Sequence, residues 1–84
     1  MRITFKLYAS LTQYLPAEAR HGNQMTLDLP EGTPVARIIE PFGLPPKLVH
    51  LVLVNGVYVA PDARLSHVPR DGDVLAIWPP IAGG

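Results

Sequence analysis

From Thr33 onward the apolar residues change period, and that change is the strongest constraint on what the chain can fold into. Val35, Ile38, Ile39 and Phe42 fall at i, i+3, i+4 and i+7, which is one apolar stripe of a helix. Thr33 suits the N-cap and Pro34 the first helical position. Pro41 interrupts the pattern near its end, and Gly43 can terminate it. The spacing predicts one short amphipathic helix over 34–42. A stripe of this kind has to be laid against something, and the rest of the chain offers mainly strands.

Ile3, Phe5 and Leu7 alternate with Arg2, Thr4 and Lys6, the two-residue period of a half-buried strand. Met25, Leu27 and Leu29 alternate in the same way with Thr26 and Asp28. Leu51-Val52-Leu53-Val54 and Val57-Tyr58-Val59 flank Asn55-Gly56, the strongest short-range hairpin signal. Val74–Trp78 reads as a last strand, and Pro79-Pro80 takes the chain out of the sheet. Tyr8 to Leu15 forms a short helical turn closed by Pro16, with Leu11 and Leu15 four apart. Residues 60–70 are irregular. One helix over a small mixed sheet is a two-layer α+β domain. The first and last strands both need partners in the middle of the sheet, and a β-grasp meets that need by placing them side by side. The expectation is a single domain over 1–84 with a flexible tail at 79–84.

With 84 residues there is room for one domain and one modest core. Seven basic and seven acidic residues balance, and no Lys/Arg block stands out, so no nucleic-acid partner is expected. No apolar run is long enough to span a bilayer, so no membrane role is expected. Met1 leads at once into a strand, so no signal peptide is expected and the protein reads as cytoplasmic. The absence of cysteine excludes disulfides, thiol chemistry and a ferredoxin-type cluster. His21, His50 and His67 lie far apart with no i, i+4 pair, so no metal site is expected. Asp71 and Asp73 flank a turn glycine and are read as shaping that turn. No nucleophile–base–acid set and no phosphate-binding glycine loop is present, so no catalytic centre is expected within the chain.

Asp71-Gly72-Asp73 followed by Val74-Leu75-Ala76-Ile77-Trp78-Pro79-Pro80-Ile81-Ala82-Gly83-Gly84 resembles the tail of the small subunit of molybdopterin synthase. Leu29-Pro30-Glu31-Gly32-Thr33 and Val54-Asn55-Gly56 are similar to the same group, which includes the thiamine-biosynthesis sulfur carrier. The chain thus resembles the MoaD/ThiS-type sulfur-carrier family over its whole length, and the resemblance implies a ubiquitin-like β-grasp. It further implies that an E1-like adenylating enzyme activates the carboxylate of Gly84 with ATP. Sulfur from a donor such as a cysteine desulfurase or rhodanese then gives a thiocarboxylate. The recipient would be the large subunit of molybdopterin synthase, or a thiazole synthase. ATP belongs to the activating enzyme, and no cofactor is expected on the chain itself. Pro79, Pro80, Ile81, Ala82 and Gly83 become the residues by which partners recognise the tail.

Physical logic supports that chemistry. A carboxylate is a poor electrophile until its oxygen becomes a good leaving group. Two residues without a Cβ make the slimmest tip for a narrow site, and Pro79-Pro80 can stiffen the base. The short, broken helix leans toward the thiamine type and Pro79-Pro80 toward the molybdopterin type. The second weighs more, because it lies in the part that partners read. Two other functions start from the same residues: a protein modifier joining Gly84 to lysines, and a non-covalent binding module with an incidental tail.

Trp78 is the sole tryptophan. In the last strand Leu75 and Ile77 would face the core, leaving Val74, Ala76 and Trp78 on the opposite face. Trp78, Ala76 and Leu53 are expected to form an exposed apolar patch for a partner. The alternative is that both faces of the sheet are covered, which continuous apolar runs also fit.

Overall fold

A computed structural model describes residues 1–80. Five strands form one sheet: β1 Arg2–Leu7, β2 Gln24–Asp28, β3 Leu51–Val54, β4 Val57–Tyr58 and β5 Val74–Trp78. Their order is β2-β1-β5-β3-β4. The first and last strands are therefore central neighbours, as the β-grasp requires, and they run parallel with Phe5 opposite Leu75 and Leu7 opposite Ile77. All other pairings are antiparallel.

One face of the sheet carries the core. Ile3, Phe5, Leu7, Val52, Leu75 and Ile77 are almost fully buried there. Among the described residues there are two α-helices, α1 Ala17–Arg20 and α2 Val35–Ile39. Val35, Ile38 and Ile39 of α2 join the core, and Phe42 stacks on Phe5 with ring centroids 4.4 Å apart. The predicted stripe is thus the packed stripe. Burying each such side chain contributes about 1.5–3 kcal/mol, and this shared apolar layer is what holds a domain of this size together.

The helix differs from expectation in two details. It narrows after Ile39 into a 3-10 turn, Glu40–Phe42, closed by Gly43 at φ 67°. Pro41 has no N–H to return to the carbonyl of Arg37, so the α-helical ladder stops there. Nor does Thr33 cap the helix: its hydroxyl donates to the Pro30 carbonyl at 2.7 Å, and Pro34 is the N-cap. The first free amides are satisfied from a distant loop instead. Val35 N–H donates to the His67 carbonyl at 2.9 Å and Ala36 N–H to the Arg64 carbonyl at 2.8 Å. Arg64 holds that loop in place by donating to the carbonyls of Val59 and His50.

The helical turn after β1 is a 3-10 segment, Ala9–Tyr14, with Leu11 and Leu15 buried beneath it. Helix α1 follows Pro16 and buries no side chain. Among the described residues no helix is long and apolar enough to cross a membrane.

Candidate functional site: the open sheet face and the base of the tail

Away from the core, the sheet presents a face built in cross-strand rows. Gln24, Lys6, Ala76, Leu53 and Tyr58 stand side by side across all five strands. Thr26, Thr4 and Val74 form a neighbouring row, and Trp78 pairs with Leu51. The β2 side of this face is polar and the β3–β4 side apolar. Leu51 and Tyr58 are 38% and 51% exposed, and Leu53, Val74 and Trp78 are half-buried. The structure therefore brings Trp78, Ala76 and Leu53 to one face. Ala76 is nearly covered, however, because its methyl lies between the longer side chains of Lys6 and Leu53. It forms the floor of the patch, and the accessible surface comes from its neighbours.

Tyr8 is a residue of this site that the helical-turn reading hides. Its ring lies on Trp78 with centroids 3.8 Å apart and planes 5° from parallel. The signal is in the alternation, since Tyr8 follows Arg2, Thr4 and Lys6 on the same side of β1. Continuing the register of Leu7 opposite Ile77 places Tyr8 opposite Trp78. Tyr8 N–H donates to the Ile77 carbonyl at 3.1 Å, and His50 N–H to the Trp78 carbonyl at 3.2 Å. These bonds fix the end of β5 from both sides. Beyond it Pro79 is buried and Pro80 exposed. Ile81, Ala82, Gly83 and Gly84 lie outside the described residues.

At the other end of β5 the acidic turn is structural. Asp71 Oδ1 accepts from Arg2 N–H at 2.6 Å, and Asp73 Oδ2 accepts from Arg70 N–H at 2.8 Å. The Arg70 amide, then the Asn55 side chain, hold the Asp73 carboxyl below the usual carboxylate range. Arg2 does the same for Asp28 through an exposed ion pair at 2.9 Å. Asp28, Glu31 and Asp71 share one open pocket with Arg2, and Arg2 is bonded to both aspartates, its amide to Asp71 and its guanidinium to Asp28, which gives these carboxylates structural partners. Among the described residues no group of three His, Asp or Glu is placed to hold a metal.

Solved structures share this architecture. Small archaeal modifier protein SAMP1 from Haloferax volcanii superimposes with a TM-score of 0.68 at 24% identity, covering 100% of both chains. A chain described as molybdopterin converting factor subunit 1 from Pyrococcus furiosus gives 0.68 at 23%, covering 96% of this chain and 99% of that one. A complex of subunits 1 and 2 of the molybdopterin-converting factor from Helicobacter pylori 26695 gives 0.64 at 19%, with full coverage of both chains. At these identities the likeness establishes the fold, and it bears out the ubiquitin-like β-grasp resemblance read from the sequence. No curated protein matches by sequence. The profile of the family described as Mut7-C ubiquitin matches residues 1–82, nearly the whole of the chain. The chain belongs to the Mut7-C ubiquitin family.

Proposed function

We propose that the chain is a sulfur carrier whose working group is the carboxylate of Gly84, serving molybdopterin biosynthesis. The observation that carries this reading is the position of β5. It occupies the centre of the sheet, is bonded on both sides, and delivers the backbone through Pro79 and Pro80 beside an open apolar face. An activating enzyme can dock on that face and receive the residues that follow. The Gly84 carboxylate attacks the α-phosphorus of ATP and pyrophosphate leaves. The persulfide sulfur of the donor then attacks the acyl carbon and AMP leaves; a thiol opens the resulting acyl disulfide, leaving the thiocarboxylate on Gly84 and a disulfide on the donor side. The fold supplies display and docking, and the partners supply the chemistry. The Helicobacter pylori complex of subunits 1 and 2 supports a large-subunit partner for a chain of this shape.

A second reading, a protein modifier that joins Gly84 to lysines of other proteins, is favoured by the likeness to small archaeal modifier protein 1. Both readings begin with adenylation and diverge afterwards. The test is mass spectrometry of the chain incubated with an E1-like enzyme, ATP and a sulfur donor. Exchange of one oxygen for sulfur at Gly84 supports the carrier. Gly84 recovered in isopeptide linkage supports the modifier. Neither product with any such enzyme leaves a non-covalent binding module.

A further inference from the structure

The rings of Tyr8 and Trp78 stack nearly parallel with centroids 3.8 Å apart, closer than the ~4.5–7 Å usual for aromatic pairs. The backbone beside the stack is unusual. Ala9, the next residue, has φ 52°, in the left-handed region that residues with a Cβ seldom occupy. Ala9 is exposed, so no burial of its own side chain demands this. Strain kept beside a candidate site is a reason to look for function there.

The consequence falls on the base of the tail. Pro79 and Pro80 have no N–H, so neither can donate to the sheet. Past the bonds at Ile77 and Trp78, the heading of the backbone rests on the Trp78 side chain and on the burial of Pro79. We propose that Tyr8 is a positioning residue: held by the left-handed turn at Ala9, its ring clamps Trp78 and so fixes where the chain passes Pro79 and Pro80. This rests on the carrier reading for its purpose, since a reacting carboxylate four residues further on needs a defined launching point. The clamp itself is a physical property testable without that reading.

The test uses the full chain, in which Trp78 is the only tryptophan and reports the site alone. Time-resolved fluorescence anisotropy of Trp78 is compared in wild type, Tyr8→Leu, Tyr8→Phe and Ala9→Val, with thermal melting to confirm folding. Tyr8→Leu is expected to release fast local motion of Trp78. Tyr8→Phe keeps the ring and restores the wild-type signal. Ala9→Val keeps the ring but adds a β-branched side chain that disfavours the left-handed turn, giving an intermediate signal in a chain that still folds. It carries the test if Tyr8→Leu does not fold. In adenylation of Gly84, Tyr8→Leu should lower kcat by about tenfold with little change in KM, part of the ~100-fold that a 1 Å misplacement can cost. Unchanged Trp78 motion in both Tyr8→Leu and Ala9→Val overturns the clamp. A raised KM with unchanged kcat also overturns it, because Tyr8 would then be a docking contact. If wild type is never adenylated, the carrier reading fails, and the anisotropy still decides the clamp.

Discussion

The side-chain amide of Asn55 donates to Asp73 Oδ1 at 2.9 Å, tying the hairpin turn to the turn that starts β5. The same side chain accepts from Val74 N–H at 2.8 Å. Asn55 and Gly56 have φ of 50° and 81°, the left-handed pair that a two-residue hairpin requires. One asparagine therefore serves two purposes. It tolerates the turn, and it sets where the central strand begins.

Asp73 makes this junction sensitive to acid. Its carboxyl is held low chiefly by the Arg70 amide and secondly by Asn55. A carboxyl with a depressed folded pKa stabilises the fold fully above its unfolded pKa. That contribution is lost as pH falls through the folded value. The melting temperature of wild type should therefore fall in acid more steeply than that of Asp73→Asn, so the gap between them narrows as pH drops. A gap that stays constant from neutral pH into acid would show that ionisation of Asp73 is not what ties the turn.

Gly43 closes the 3-10 turn at φ 67°, and a Cβ built there meets nothing within 4 Å. The cost of Gly43→Ala is thus conformational, with no steric clash. Forcing an alanine into the left-handed region costs roughly 1–2 kcal/mol. Urea unfolding should show the midpoint falling with an unchanged slope. No shift would mean that the loop after Phe42 rearranges freely.

The apolar stripe of Val35, Ile38, Ile39 and Phe42 was legible because burial imposes the helical period directly on the residues that are buried. Asn55-Gly56 was legible because few residues accept two successive positive φ angles. The adjacency of β1 and β5 followed from the need of two end strands for partners. Helix α1, by contrast, only half-buries Ala19 against the core and leaves no apolar period to read. The capping of α2 by the carbonyls of Arg64 and His67 joins residues about thirty positions apart, and local rules assign the cap to Thr33 instead. At the candidate site the face of Trp78 followed from alternation. The Tyr8 stack depends on extending the parallel register one residue past the strand, which the pattern of the following turn conceals.

Trp78 is half-buried, covered on one side by Tyr8 and flanked by Leu51. Trp78→Ala should therefore cost less than the ~3–5 kcal/mol of a fully buried tryptophan. Its accessible side is what a docking enzyme would cover, and aromatic anchors dominate interface energies. Calorimetric titration against the activating enzyme should show affinity falling further than the melting temperature predicts. A large loss of stability with unchanged affinity of the folded fraction would make Trp78 a core residue and remove it from the docking face.

Gly84 separates the fold from the function most cleanly. The described core draws on residues up to Ile77, and a glycine has no side chain to bury in it. Deleting Gly84, or adding one residue after it, should leave the melting temperature where it is. Either change moves the carboxylate by one residue, a span of ~3.3–3.6 Å along an extended chain. Placement of reacting groups is sensitive at ~1 Å, so adenylation should be abolished even though docking on the Trp78 face is intact. Gly83→Val tests the shape of the tip separately. Its branched Cβ should slow activation by crowding the narrow site that receives the tip, with binding of the activating enzyme and thermal stability both preserved. Pyrophosphate exchange measures activation, calorimetric titration measures docking, and both can be run on each variant. A Gly84 deletion that is adenylated as fast as wild type would mean that the working group lies elsewhere, and the binding-module reading would replace the carrier.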